Sequence, residues 1–402
     1  MATNSELLTK LAQKEFPDLT APEFEVVRAV AMGEVADLKQ WGTPPQKPKK
    51  YNPGGGPLRS TLVTWLCTEA RAKKLVHRKG LRIQNATFDA ELDLDSAELH
   101  FLFALHNCRL PGLNAQRATL KSSLQLKLSR VDGEVKLAVA NISGQLQFQG
   151  ARFLNKGGNA LNASGATISS SVLLSERFFA VGEVILRGAK VDGQLVCEGG
   201  NFLNHNHSAI SADQARIGNN VYLSDGFRAI GEVGLSSAKI NGLLICQGGR
   251  FLNRNGDALN ADSMTISCDV FLSKGFRAVG EVRLLGANIT GHLDCQMGRF
   301  LNHSGMALSA DGAAFGSNVL LSDGFQADGA VRLLGVHIAG MLDCTGGSFL
   351  NATGRALDLE YAVIHGSIFL DPIHAQGLVN LLETKTVKTL RMIFPGLATA
   401  SL

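Results

Sequence analysis

The chain has 402 residues, of which 45% are hydrophobic and only 6% aromatic, and its formal net charge is +4. Its 44 glycines are typical of a repeat fold with many turns. No run of about 18 apolar residues occurs, which excludes a membrane-spanning helix. The first residues lack a secretory signal pattern, so we expect a cytoplasmic protein.

Residues 1–80 carry no repeat and are predicted to form a small helical cap. Ala21-Pro22-Glu23 places a proline in the first turn of one predicted helix. A second predicted helix runs from Leu58 to Val76, and the segment 42–56, rich in Pro, Gly and Lys, is a predicted linker. Helices here would cover the first coil of a repeat fold, whose unpaired edge otherwise invites aggregation.

Positive charge is concentrated in the same segment. Residues 42–79 contain nine basic residues and one acidic residue, Glu69. This basic patch predicts binding of an acidic protein or nucleoprotein, and it could contact nucleic acid directly; a solvated helix face is the alternative. The basic patch consists of Lys47, Lys49, Lys50, Arg59, Arg71, Lys73, Lys74, Arg78 and Lys79.

The rest of the chain is dominated by a repeat of 49 residues. The tripeptide Phe-Leu-Asn begins at Phe153 and recurs four times without gaps, at Phe202, Phe251, Phe300 and Phe349. Gly-Glu-Val keeps the same step from Gly133 to Gly280. A constant period over five copies indicates a repeat architecture.

Each unit also contains an internal half-repeat: a shift of 23 residues aligns Ala166 with Ala189 and Val172 with Leu195. Its signature is a small residue followed by apolar residues at +2, +6 and +8, with Gly, Ser, Asp or Asn between. Period-two apolar pairs joined by tight turns are typical of short inward-facing strands. A helical solenoid would need apolar residues with a 3.6-residue period, and a β-propeller would not explain the 23-residue half-repeat.

We therefore predict a mainly β protein, a right-handed parallel β-helix (a solenoid) of 49-residue double-coil repeats with a small N-terminal α-helical cap. The cap is predicted over residues 1–80, the β-helix over 81–390 and a C-terminal tail over 391–402. At about 24 residues a coil this gives about 12 to 13 coils.

Four of the seven cysteines, Cys197, Cys246, Cys295 and Cys344, keep the 49-residue step. Two coils separate neighbours, so about 9–10 Å lies between them, which is too far for a disulfide or a shared metal ion. We expect reduced, buried thiols in the place that Leu174 takes in the other half-repeat, and no metal site.

Two further rows are candidate sites. The acidic row, Glu134, Glu183, Glu232 and Glu281, could serve a β-helix enzyme acting on a polysaccharide, but we expect these residues in turns, with Arg228 and Arg277 pairing Glu232 and Glu281. The loop row follows Phe-Leu-Asn, where the sequence varies most, and predicts a partner-binding ridge. It consists of Lys156, His205, Arg254 and His303.

The pattern Leu186-Arg187-Gly188-Ala189-Lys190-Val191 resembles pentapeptide-repeat proteins. With the entry strand Gly80-Leu81-Arg82-Ile83, the chain is similar over about residues 58–370 to a group of bacterial β-helix proteins sometimes labelled membrane-associated oxidoreductases. The resemblance implies the fold. Some pentapeptide proteins mimic DNA through an acidic surface, which a net charge of +4 does not favour.

No nucleotide-binding, zinc-protease or serine-hydrolase motif occurs in the sequence. We therefore expect no cofactor and a non-enzymatic scaffold or adaptor, which binds a protein or nucleoprotein partner through the basic patch and the loop row. The alternatives are the β-helix enzyme and a peripheral membrane-surface protein that uses residues 42–79.

Overall fold

The structure is a computed structural model that describes residues 3–42 and 55–393. About 44% of the chain is strand and 11% helix, and parallel strands form a β-solenoid of about 13 turns. This confirms the predicted fold class. The chain divides into two compact units, Met1–Val196 and Cys197–Leu402.

The first unit begins with four helices, two more than the sequence predicted. They are α1 (Asn4–Glu15), α2 (Ala21–Met32), α3 (Ser60–Thr68) and α4 (Ala70–Leu75), with a short 3₁₀ turn at Lys39–Trp41. The start of α2 agrees with the predicted one, and Pro22 lies in its first turn. The helix expected from Leu58 to Val76 is interrupted, because Glu69 has extended backbone angles and accepts a hydrogen bond from the Arg71 N–H as the cap of α4.

The helices of this unit pack on one another and on the first strands. The Trp65 ring meets the edge of Phe16 at 5.8 Å, joining α3 to the end of α1. The Thr64 hydroxyl donates to the Asp93 carbonyl oxygen at 2.8 Å, which holds α3 on the strand Leu92–Asp93. α3 thus contacts both α1 and an early strand of the solenoid directly.

In the first unit the strands form three parallel sheets. Sheet I holds Ala36–Asp37, Leu81–Gln84, Phe103–His106, Leu124–Gln125, Leu146–Gln147, Val172–Leu173 and Leu195–Val196. Sheet II holds Glu98–Leu99, Thr119–Leu120, Asn141–Ile142, Thr167–Ile168 and Lys190–Val191. Sheet III holds Gly56–Leu58, Ala86–Phe88, Leu92–Asp93, Arg109–Leu110, Leu113–Asn114, Arg130–Val131, Val135–Lys136, Arg152–Asn162 and Phe179–Ile185.

The second unit also has three parallel sheets. Sheet I holds Val221–Tyr222, Leu244–Ile245, Val270–Phe271, Leu293–Asp294, Val319–Leu320, Leu342–Asp343, Ile368–Leu370 and Leu390–Met392. Sheet II holds Arg216–Ile217, Lys239–Ile240, Thr265–Ile266, Asn288–Ile289, Ala314–Phe315, His337–Ile338, Val363–Ile364 and Lys385–Thr386. Sheet III holds Asn201–Ser211, Arg228–Gly234, Arg250–Asn260, Arg277–Arg283, Arg299–Ser309, Gln326–Arg332, Ser348–Asp358 and His374–Asn380.

The core is built from the predicted small-and-apolar signature. Ala238, Ile240, Leu244 and Cys246 are each at most 1% exposed, as their period-two spacing requires. The cysteine side chains fill the positions that leucines take in the intervening coils, and all four of their column are buried. That part of the prediction is confirmed.

A column of phenylalanines runs through the core of each unit. In the second unit successive ring centroids lie 5.0–5.4 Å apart. Alternate rings come from the Phe-Leu-Asn motif. The others come from the second half of each 49-residue unit, and they were not predicted from the sequence. The second-unit rings are Phe202, Phe227, Phe251, Phe276, Phe300, Phe325 and Phe349.

The Asn of Phe-Leu-Asn explains why the motif repeats. The Asn253 side-chain amide donates to the Asp257 carbonyl oxygen at 2.9 Å, and residues 253–256 leave the ladder of strand pairs. Gly280 of the next coil lies under this excursion at φ +112°, where a Cβ would collide with the carbonyl oxygens of Asn253 and Gly256. The same clamp recurs at Asn155, Asn204, Asn302 and Asn351.

Candidate functional site

Four arginines form a ladder on the outer face of sheet III in the second unit. Arg228, Arg250, Arg277 and Arg299 each begin a strand, and each is in register with the next. Neighbouring strands lie about 4.8 Å apart, so the ladder covers about 14 Å across the strands. We call these four residues the arginine ladder.

An aliphatic floor runs beside the arginine ladder. Two residues further along each strand lie Ile230, Leu252, Val279 and Leu301, again in register. Side chains two apart on a strand point to the same face. All four are half-buried, while the alanine or phenylalanine between each arginine and its aliphatic neighbour is buried in the core.

The excursions that follow Phe-Leu-Asn make the opposite wall. Arg254 and His205 project from them and are exposed. Together the three columns enclose a groove of about 840 Å³. We call it the arginine groove, and its charged and aliphatic lining consists of His205, Arg250, Arg254, Arg277, Arg299, Ile230, Leu252, Val279 and Met297.

The cations of the arginine groove have no acidic partners within residues 3–42 and 55–393. Neither the arginine ladder nor Arg254 makes an ion pair or a side-chain hydrogen bond there. Other arginines of this unit are paired, as Arg283 is with Asp262 and Arg332 with Asp311, both at 2.6 Å. Like charges in register repel one another, so the groove concentrates unneutralised positive charge over an apolar floor.

The first unit has a similar column, in which two arginines share one carboxylate. Arg109, Arg130 and Arg152 are in register on its sheet III. Asp132 pairs with Arg109 at 2.8 Å and with Arg130 at 2.5 Å. Although burial works against it, these hydrogen bonds hold the pKa of Asp132 below its ordinary value. Arg152 lies over the Phe179 ring at 4.5 Å. Among the described residues, the column of the second unit differs from this one in that none of its four arginines has an ion pair.

The basic patch is divided by the structure. Lys47, Lys49 and Lys50 lie outside the described residues. Arg59 is engaged inside the cap, with Nε 2.6 Å from Glu23 and Nη1 2.8 Å from Asp18. Burial works to raise the pKa of Glu23, but hydrogen bonds from Arg59 and Thr20 hold it below its ordinary value.

The remaining members of the basic patch are on or just after α4. Lys73 donates to the Glu98 carbonyl oxygen at 3.0 Å. Arg71, Lys74, Arg78 and Lys79 are exposed. Among the described members, the exposed cations therefore lie on α4 and in the residues just after it.

The loop row is exposed at every position. His205 and Arg254 line the arginine groove. His303 is 2.7 Å from Asp328, so part of its charge is compensated when it is protonated. Lys156 projects from the equivalent excursion of the first unit. Among the described residues, no group of three or more His, Cys, Asp or Glu side chains could hold a metal ion.

The acidic row differs from expectation. Glu183, Glu232 and Glu281 lie within strands, not in turns. The predicted pairs of Arg228 with Glu232 and of Arg277 with Glu281 are absent among the described ion pairs. Gly231 and Gly280, at φ +116° and +112°, come between the partners and interrupt the regular strand.

The row instead joins neighbouring coils. Glu281 accepts a hydrogen bond from the Ser309 hydroxyl at 2.6 Å, and Glu134 accepts one from Asn159 at 3.2 Å. Burial, followed by the charges of Asp257 and Asp213, raises the pKa of Glu232. These carboxylates are part of the sheet framework.

The arginine groove was not identified from the sequence, although a signal was present. Arg228 and Arg277 share the 49-residue step, as do Arg250 and Arg299, and the two pairs interleave. Only the register between coils shows that they form one ladder.

No helix in the described part of the chain is long and apolar enough to cross a membrane. Comparison of the chain with protein-family profiles, with curated proteins and with solved structures gives no match.

Proposed function

We propose that this protein is a non-enzymatic scaffold that binds an acidic protein or nucleoprotein partner in the arginine groove. The observation that carries the proposal is the set of four arginines around one groove with no acidic partner among the described residues. A guanidinium forms bidentate hydrogen bonds with carboxylates and phosphates, and a ladder of them supplies several such contacts to one ligand.

The geometry of the fold supports binding more than catalysis. Side chains on strands of a packed solenoid are held more precisely than those on free loops. The carboxylates of the acidic row are hydrogen-bonded between coils, which suits a structural role. The exposed cations at α4 would add a second contact with a large acidic partner.

The proposal is tested by fluorescence anisotropy with fluorescein-labelled poly-L-glutamate as the acidic probe. Arg250→Gln with Arg277→Gln removes two cations from the arginine groove. Arg216→Gln with Lys239→Gln is the matched control, because these two exposed cations are in register on sheet II of the same unit.

We expect the groove double variant to bind the probe about 30- to 900-fold more weakly, since the two charge-assisted hydrogen bonds that it loses contribute roughly 1–2 kcal/mol each. The control should stay within about twofold of the unmodified chain. Equal losses in both variants, or no loss in either, would show that the groove is not the binding site.

A further inference from the structure

We infer that the segment bound in the arginine groove is an amphipathic acidic α-helix, with an apolar stripe on the aliphatic floor and carboxylates on both sides. This inference rests on the proposed function and names the form of the partner. It follows from the order of the three columns, from the pairing of the floor strands and from the length of the groove.

The lining has two cationic walls and an apolar floor, and a partner has to match that order. Three members of the arginine ladder, Arg250, Arg277 and Arg299, form one wall. Arg254 and His205 project from the other wall, and Leu252 lies between the two. A helix with apolar residues at i, i+3, i+4 and i+7 has one apolar stripe, and acidic residues can flank it on both sides. An extended strand alternates its side chains between two faces and offers the groove only one row at a time.

Backbone hydrogen bonding also favours a helix. The floor strand Arg250–Asn260 is paired with Arg228–Gly234 on one side and with Arg277–Arg283 on the other. The N–H and C=O groups of residues 250–252, which carry the floor, are therefore used within the solenoid, so an extended peptide lying on this face could not add to the sheet. The buried backbone groups of such a peptide would lack partners, whereas a helix satisfies its own.

The dimensions of the groove agree with this occupant. Arg250, Arg277 and Arg299 line the groove over about 10 Å, which a helix spans in about seven residues at 1.5 Å per residue. One turn of helix rises about 5.4 Å, close to the spacing of about 4.8 Å between successive arginines. Carboxylates on successive turns can thus meet successive arginines.

Single-stranded nucleic acid fits the lining less well. Non-specific binding of single strands depends on aromatic side chains on which the bases stack. The described residues that line the groove include no Phe, Tyr or Trp. Its apolar surface is aliphatic and comes from Ile230, Leu252, Val279 and Met297.

The test uses two labelled peptides of about 18 residues with the same composition of Glu, Leu and Ala. In the first, Leu follows helical spacing and Glu flanks it on both sides; in the second the same residues are scrambled so that no apolar stripe forms. Anisotropy measures affinity, and circular dichroism measures helix gained on binding. Poly-L-glutamate and an oligo-dT strand are run in parallel.

We expect the amphipathic peptide to bind at least tenfold more tightly than the scrambled one and to gain helix. Arg250→Gln with Arg277→Gln should remove most of this affinity, and Arg216→Gln with Lys239→Gln should not. Leu252→Gln should weaken the amphipathic peptide about fivefold and leave poly-L-glutamate unchanged, because only the helix uses the floor.

The results that would contradict the helical occupant differ from those that would contradict the proposed function. Equal, arginine-dependent binding of both peptides would overturn the helical occupant and leave the proposed function standing. Arginine-dependent binding of oligo-dT in preference to both peptides would likewise replace the helix by a nucleic-acid strand. If no probe depends on Arg250 and Arg277, both the inference and the proposed function are wrong.

Discussion

Phe276 should be among the most costly side chains to truncate in the second unit. It is fully buried, and its ring centroid lies 5.1 Å from those of Phe251 and Phe300. Truncating a buried phenylalanine to alanine costs about 3–5 kcal/mol of unfolding free energy. Each ring pair contributes about 0.5–1.5 kcal/mol beyond area burial, so Phe276→Ala, which loses two, should cost about 5 kcal/mol.

Phe276→Leu measures the loss of the ring contacts separately from the loss of side-chain volume. Leucine fills most of the space but loses both ring pairs, so about 2 kcal/mol should be lost. Ile373→Ala, at a side chain that is 57% exposed, is the surface control and should cost less than about 1 kcal/mol.

Urea unfolding followed by far-UV circular dichroism measures these differences. Because contacts in a solenoid are mainly between neighbouring coils, hydrogen exchange should show the loss concentrated in the coils around Phe276. The reasoning is refuted if Phe276→Ala costs less than about 2 kcal/mol, or if Phe276→Leu costs as much as Phe276→Ala.

Three further predictions concern the framework of the coils. Gly280→Ala should destabilise by at least about 3 kcal/mol in urea unfolding, because φ is +112° and the new Cβ would collide with two carbonyl oxygens. Gly335→Ser, at φ +60° with open space around it, has only the backbone strain and should cost about 1 kcal/mol. Iodoacetamide should modify only Cys268 rapidly in the native protein, because the other six cysteines are buried. Burial raises the pKa of Cys108 to about 12 and the pKa of the other buried thiols well above the ordinary value. Fast labelling of a second thiol, measured by mass spectrometry, would contradict this. Folding raises the pKa of Glu232, so its contribution to stability is present below the unfolded pKa and is lost as pH rises through the folded pKa. Glu232→Gln should therefore match the unmodified protein below about pH 4 and unfold at a higher urea concentration than the unmodified protein at pH 7. If the difference in urea midpoint between the two proteins is the same at both pH values, the pKa of Glu232 is not raised.

The sequence predicted the solenoid because its core signature is local. Ala238 and Ile240 are two residues apart and point inward whatever the neighbouring coil does, and Cys246 follows at a constant distance. The start of α2 was predictable for the same reason, since Pro22 and Glu23 act within one turn. In contrast, α1 has few apolar residues and only Leu8 and Ala12 buried, so its pattern was weak.

The candidate site could not be predicted in the same way, because it depends on register between coils. Arg228 and Glu232 are four residues apart and looked like partners. The structure places Gly231 between them at φ +116°, and Arg228 is instead in register with Arg250, 22 residues away. That register depends on how many residues leave the ladder at each excursion, which the spacing of the repeats alone does not reveal.

The clamp at each Phe-Leu-Asn gives the fold a modular property. The Asn253 amide closes its excursion onto Asp257 inside a single coil, so residues 254–256 can change without disturbing the strands on either side. Gain or loss of one of the two units that carry the arginine ladder would preserve every core column and alter the arginine groove in steps of two coils, about 10 Å. The number of these units would then set the length of the partner segment that the groove can hold. Affinity for the partner would change as existing contacts are duplicated or lost.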